Sequence, residues 1–401
     1  MLNQYYWPGV EATAHLLTEL AEALAVDFEI TVITGRLLGH EGLPDYEHRN
    51  GVEIVRVHST AYDRAPLHRR AVNYFTYLGR ALRRGLVFEP RPDIVLCMTD
   101  PPIVGNVALI VARRFGVPLL VISQDVFPEV AVQLRRLTNP LLVAVLARMI
   151  RFYLRRADRV VAIGETMKRR LEAKGTPPER LRVIPNWVET AVITPQPRNN
   201  GWAQQNGLAD AFVVMHSGNI GHAQDLDTLI RASAQLREVE RLRVVLIGFG
   251  ARQAEYIRLA EQLAAEKVSF LDYQPRELLP HSLSSADVHY VGIAQGLSGY
   301  VVPSRLYGVL AVGRPVIAAA EDDSETAALV REVGCGLVIP PGRPDLLAAT
   351  IVEVAAGKHD LEAMGRLGRA YVEAEADRSI AIGRYRHQLA ELLGRHAGVP
   401  R

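Results

Sequence analysis

Strand-length apolar runs alternate with helix-periodic segments along this chain, and the alternation is played out twice with one interruption. The first series of runs lies at 29–33, 52–57, 93–98, 119–122, 159–163 and 181–184. The second lies at 212–216, 242–247, 268–271, 288–293 and 316–320, with helical patterns at 226–238 and 252–266. Strand and helix in alternation predict α/β architecture with a doubly wound parallel sheet in each half. Between the halves the pattern lapses into PNWVETAVITPQPRNNGWAQQNG, where Pro, Asn and Gly cluster, so a linker is expected at about 188–200. With 401 residues the chain exceeds one ordinary core. We therefore expect two Rossmann-like domains, 1–190 and 200–378. A final helix at about 380–396 has no strand after it and is expected to return to the first domain.

The opening, MLNQYYWPGVEATAHLLTELAEALA, leaves almost no room for a strand before Pro8 and Gly9. The first strand is either a stub, or the true start lies upstream. A helix with Leu16, Leu17, Leu20 and Leu24 turned inward follows.

Right-handed crossovers put functional loops at the carboxyl ends of parallel strands. That rule selects Thr99-Asp100-Pro101 and Ser123-Gln124-Asp125 in the first half. Asp125 reads either as a carboxylate in a cleft or as a turn cap. In the second half, Ser217-Gly218-Asn219-Ile220-Gly221 follows a strand, as does Gly248-Phe249-Gly250. Backbone amides there can approach a phosphate closely, or the glycines make simple turns. His216, ending a strand, reads as a packed residue.

The stretch 296–325 concentrates the most signals. Gly296, Ser298 and Gly299 make a loop; Pro303-Ser304 is a helix start in which Ser304 can cap. Leu306, Val309, Leu310 and Ala311 then form an apolar face until Gly313 ends the helix. A loop, a helix N-terminus and Arg305 in its first turn compose an anion seat, because free amides and the helix dipole converge there. An ordinary helix with a surface arginine is the alternative. Asp322, Asp323 and Glu325 sit where a helix dipole favours acids, and no histidine joins them at ligand spacing, so no metal site is expected.

Composition, 49% hydrophobic and 22% charged, is that of a globular protein, and no uninterrupted apolar run of membrane-spanning length occurs. The two cysteines, Cys97 in an apolar run and Cys335 between glycines, form no disulfide framework. With no signal peptide in view, a cytoplasmic protein is expected. Net charge is only +2, yet residues 64–91 hold seven arginines against Glu89, and residues 135–159 hold seven against Asp158. Interleaved with Tyr74, Phe75, Met149 and Phe152, they fit helices with an apolar and a basic side, suited to an anionic membrane or simply to solvent. No nucleic-acid motif accompanies them.

Over nearly its whole length the sequence resembles the family-4 glycosyltransferases of the GT-B fold. The segments that carry this are NQYYWPGVEATA, ISQDVFPE, ADRVVAIGETMKRRL, VIPNWVE, SGNIGHAQDLDTLIRA, VVPSRLYGVLAVGRPVIAA and DSETAALVREVGCGLVIPPG. They look most like the bacterial branch that moves sugars, often N-acetylated amino sugars, from UDP-sugars in surface polysaccharide assembly. The resemblance implies two domains facing a cleft, with the nucleotide on the C-terminal one and the acceptor, such as a polyprenyl-diphosphate-linked sugar, on the N-terminal one. It implies retention of anomeric configuration; the arginine-rich helices add the expectation of a peripheral enzyme at the inner face of the plasma membrane, and amides with a cation at the leaving diphosphate that of no metal or cofactor. By position it places Gly9 near the donor diphosphate and Asp125, the catalytic candidate, near acceptor and donor sugar. Gly218, Asn219, Gly221, Gly299, Ser304 and Arg305 fall in the diphosphate region, Tyr273 in the loop 271–275 that frames the uracil, and Glu325 near the donor. Two departures stand out. Asn219 and Gln224 replace an Arg and a Lys that neutralise the diphosphate in the wider family, and Tyr300 and Gly308 replace its paired glutamates. They keep open a non-catalytic nucleotide-sugar-binding subunit, and the shared architecture keeps open a UDP-sugar epimerase.

Overall fold

A computed structural model of the protein describes residues 1–9, 11–40, 42–62 and 67–397. The chain divides into two compact units. Unit 1 is Met1–Pro185 with the chain from Ile382 onward, and unit 2 is Asn186–Ala381.

In unit 1 the strands are β1 Ile30–Thr34, β2 Tyr46–Arg49, β3 Val52–Arg56, β4 Val95–Cys97, β5 Leu119–Ser123, β6 Arg159–Ala162 and β7 Leu181–Val183. Its helices are α1 Ala12–Leu24, α2 Leu67–Leu86, α3 Val104–Phe115, α4 Glu129–Gln133, α5 Pro140–Leu154 and α6 Glu165–Ala173. The strands order as β2-β3-β1 and as β4-β5-β6-β7. Leu2 pairs in parallel with both Ile33 and Cys97 and so joins the two groups. Leu2 thus lies mid-sheet. Every residue of β5 is buried, as expected of a central parallel strand.

Two strands escaped the sequence pattern, β2 here and Gly336–Ile339 in unit 2. β2 runs antiparallel to β3 through a turn in which Asn50 and Gly51 both have positive φ, 46° and 81°. An Asn-Gly pair between strands favours this two-residue hairpin turn. Because β2 carries Glu47, His48 and Arg49 at a sheet edge, no apolar run announced it.

In unit 2 the strands β8 Phe212–Ser217, β9 Leu242–Ile247, β10 Val268–Leu271, β11 Val288–Gly292, β12 Val316–Ala319 and β13 Gly336–Ile339 form one parallel sheet, ordered β10-β9-β8-β11-β12-β13. Helices α7 Gly201–Gln205, α8 Leu226–Gln235, α9 Gln253–Gln262, α10 Leu279–Ser284, α11 Arg305–Ala311, α12 Glu325–Val333, α13 Pro344–Ala355 and α14 Leu361–Glu375 belong with it. One core gathers Val214, Leu229, Ile230, Val244, Tyr290 and Ile351; another gathers Val291, Leu306, Leu310, Val330 and Val372. The reversal of strand order at β8 and β11 creates the switch point where open α/β sheets bind ligands.

The residues read as a linker are strapped down within unit 2. Arg369 donates to the carbonyls of Thr190 and Ile193, Asp377 accepts from Thr190, and Arg198 pairs with Asp287 at 2.8 Å. The last helix, α15 Arg378–Ala397, passes from unit 2 into unit 1, where Glu391 reaches Arg159 at 3.1 Å. Arg159 is 1% exposed, so it is a core cation and no part of a basic surface. Cys335, between its two glycines, is also fully buried.

Candidate functional site

In unit 2 the carboxyl ends of β8, β9 and β11 meet in a bed of backbone. The amide of Gly218 donates to Ile247 at 2.9 Å, and that of Ile220 to Phe249 at 2.9 Å. A Cβ on Gly248 would lie 2.0 Å from the Gly218 carbonyl oxygen, and one on Gly250 would lie 2.3 Å from that of Ile220. Only glycine allows the two strand-end loops to close on each other this tightly.

Against that bed lies Arg305. Its Cδ is 3.5 Å from where a Cβ on Gly218 would stand, and its Nη2 donates to the Gly292 carbonyl at 2.7 Å. Its Nε is buried with no hydrogen-bond partner among the described residues. Burial lowers its pKa to about 10, opposed by neighbouring Tyr290, so it stays charged at neutral pH. A buried, incompletely paired guanidinium is costly without an anion, and this one packs beside Gly218.

The start of α11 differs from expectation. Ser304 makes no side-chain cap, and the amides of Leu306 and Tyr307 are taken by the carbonyls of Pro303 and Ser304. The chain tightens into i→i+3 bonds here, which satisfies helix-start amides locally. What remains for an anion is chiefly the Arg305 side chain.

Asn219 and Gln224, which the resemblance set in place of an Arg and a Lys, hold the loop itself. Gln224 Oε1 accepts from the Gly221 amide at 3.1 Å, and the Asn219 carbonyl lies 3.3 Å from His216 Nε2. Burial, with the Arg305 charge, pushes His216 well below its ordinary range, so it is a neutral packed residue, as read. At the outer rim Phe249 and Tyr273, both about half exposed, meet edge-to-face with centroids 6.1 Å apart. Tyr273 was expected here by resemblance. Phe249 had been read only as part of a turn, though an aromatic between two strand-end glycines was the available signal.

The loop containing Gly299, whose φ is 73°, is tied to the end of β12 by Ser298, whose amide donates to Glu321 at 3.1 Å. Glu325 opens α12 behind the Ser324 cap, and ionisation of Tyr307 on α11 is disfavoured first by burial, then by Tyr371 and by the Glu325 charge. It therefore sits beside the Arg305 helix. Asp322 is paired with Arg331, and among the described residues no group of three His, Cys, Asp or Glu is placed to hold a metal.

Unit 1 presents a second cluster at the equivalent sheet edge. Asp125 follows β5 and Asp100 follows β4; Thr13 donates to Asp100 at 3.2 Å. The Asp125 carboxyl is pushed up to about 7, first by burial and then by the Asp100 charge, with Arg70 opposing. A carboxyl balanced between its two forms near neutral pH can hold or accept a proton. Arg70, counted among the surface arginines by sequence, belongs to this cluster. Gly9 closes the turn from Tyr6; its amide donates to the Tyr6 carbonyl at 2.7 Å, and a Cβ there would meet the Glu11 carboxylate at 2.6 Å.

Comparison with known proteins gives two matching family models, a glycosyl transferase 4-like domain over residues 9–187 and the glycosyl transferases group 1 domain over residues 200–371. The chain is 26% identical over 305 residues to the probable glycosyltransferase WbjE of Pseudomonas aeruginosa, covering 76% of each. It is 28% identical over 237 residues to the putative colanic acid biosynthesis glycosyl transferase WcaI of Escherichia coli, covering 58% of this chain and 57% of that one. Among solved structures, the sucrose-phosphate synthase of Thermosynechococcus elongatus superposes with TM-score 0.79 at 18% identity, over 98% of this chain and 96% of the other. Anabaena HepE in complex with UDP and glucose does so with TM-score 0.74 at 16% identity, over 97% and 98%.

Proposed function

Because the chain belongs to the family-4 type glycosyltransferases of the GT-B fold, we propose that it moves an N-acetylated hexosamine-type sugar from a UDP-sugar to a lipid-linked saccharide in surface polysaccharide assembly. The single observation that carries the donor half is Arg305, buried, charged and short of a partner against the glycine bed of β8 and β9. As the anomeric bond breaks, negative charge gathers on the departing diphosphate. A fixed cation there stabilises the transition state more than the ground state. Loss of the two family cations at Asn219 and Gln224 concentrates this task on Arg305. Phe249 and Tyr273 supply a rim for the uracil ring, consistent with the UDP complexes of HepE. Asp125 serves the acceptor half, its carboxylate receiving a hydrogen bond from the reacting hydroxyl. The reaction retains configuration and uses no metal.

The polysaccharide assignment draws on the names of WbjE and WcaI. No helix among the described residues is long and apolar enough to cross a membrane. Helix α5 instead exposes Leu141, Leu142, Val145 and Phe152 beside Arg148, Arg151, Arg155 and Arg156, with Arg156 stacked 4.0 Å over the Phe152 ring. That face suits peripheral attachment to an anionic bilayer, the cytoplasmic leaflet in a bacterium.

The test is a transfer assay with UDP-N-acetylhexosamines and polyprenyl-diphosphate-linked sugars, run with and without EDTA. Acceptor-dependent UDP release unchanged by EDTA is expected. An epimerised donor without acceptor, or tight UDP binding with no turnover on any acceptor, would overturn the reading.

A further inference from the structure

Unit 1 contains a cavity of about 630 Å³ that the donor and Asp125 assignments leave unused. Its volume is that of a small-ligand site. One wall comes from the residues just past the carboxyl ends of parallel β1 and β3, namely Arg36 and His58 to Thr60; the other is the face of α2 bearing Phe75, Thr76, Gly79, Arg80 and Arg83. It thus occupies the ligand-binding edge of the sheet. Counting strands from β1 through Leu2 and β4, it lies roughly 14–19 Å from β5 at ordinary strand spacing, and so is separate from Asp125.

Its charge is unbalanced. Asp45 pairs with Arg36 at 3.0 Å and with His58 at 2.9 Å. Arg80 and Arg83 are exposed and have no carboxylate partner among the described residues, whereas Arg84 is turned away over Phe88. Among the described residues, three guanidiniums against one carboxylate leave a surplus of two positive charges, matched to a phosphate or a diphosphate. Val72, Phe75, Gly79 and Arg83 follow one another along a single helix face, and Val72 and Phe75 are 42% and 67% exposed. The anion seat therefore continues into an apolar strip.

We propose that this cavity binds the diphosphate of an amphiphilic acceptor, with the first part of its hydrocarbon chain on Val72 and Phe75. The proposal rests on the lipid-linked acceptor reading above, and its test needs no sugar transfer. Binding of farnesyl diphosphate, inorganic pyrophosphate and phosphatidylglycerol vesicles is measured for the wild type, for R80Q/R83Q and for F75S, with melting temperature confirming the fold. Farnesyl diphosphate is expected to bind the wild type and to lose roughly 10- to 100-fold in affinity in R80Q/R83Q. Phe75→Ser should weaken farnesyl diphosphate and leave pyrophosphate unchanged. Equal binding by R80Q/R83Q would overturn the site. Pyrophosphate binding as tightly as farnesyl diphosphate would make it a free-anion site, and a charge dependence seen only with vesicles would make it a general headgroup contact; either result overturns the proposal. Intact farnesyl diphosphate binding in a protein that transfers no sugar would leave the cavity standing while the enzyme reading fell.

Discussion

Asp125→Asn should cost activity and add stability, with the gain growing as the solution becomes more alkaline. The folded carboxyl titrates near 7 against an ordinary 3.8, so the folded chain holds this proton more tightly than the unfolded chain does. For a raised carboxyl the associated stability is present below pH 3.8 and is lost progressively as pH rises through 7. Between pH 5 and 7 the loss accrues at about 1.4 kcal/mol per pH unit, or about 2.7 kcal/mol, and partial solvent access to the side chain trims this to about 2 kcal/mol. Asparagine carries no titrating proton and escapes the loss. For a unit of about 200 residues, a 2 kcal/mol gain corresponds to about 4–8 °C in melting temperature. Differential scanning calorimetry of both proteins at pH 5 and pH 8 reads the change directly, and transfer rates measured in parallel should fall roughly 10²- to 10⁴-fold. An advantage of the variant that is the same at both pH values would refute the desolvated carboxyl, and retained transfer would refute its part in the reaction.

Two further outcomes follow from the same geometry. Asp100→Asn removes a like charge that raises Asp125, so the acidic limb of the kcat/KM profile, expected near pH 7 in the wild type, should move to lower pH; an unmoved limb would detach the titration from this pair. In flotation with anionic vesicles, R151Q/R155Q on α5 should lose most of its lipid-bound fraction, more so at low salt; equal flotation with the wild type would remove α5 as the attachment face.

The parallel sheets were legible because buried strands write themselves as apolar runs, and the end of such a run is where a parallel sheet puts its ligand loops. Asp125 and Gly218 were found that way. Arg305 was found by its place in a helix start, yet its burial and its contact with Gly292 come from chain 13 residues away folding over it. Strand β2 went unread because its residues are polar, although Asn50-Gly51 was a turn signal in plain view. Arg159 and Arg70 were misread for a different reason. An arginine looks like surface until its partner is known, and Glu391 stands more than 200 positions from Arg159. The same limit hid the division of labour among the α2 arginines, which depends on which side of the helix meets β1 and β3.

The donor seat is tested most directly by calorimetric titration of UDP, GDP and ADP into the wild type and into Arg305→Met, with the unliganded melting temperature of each recorded. The wild type should bind UDP in preference to the other two, and the variant should bind it at least about tenfold more weakly, as loss of a charge-assisted contact requires. No nucleoside diphosphate binding by the wild type, or unchanged UDP affinity in a folded Arg305→Met, would contradict the assignment.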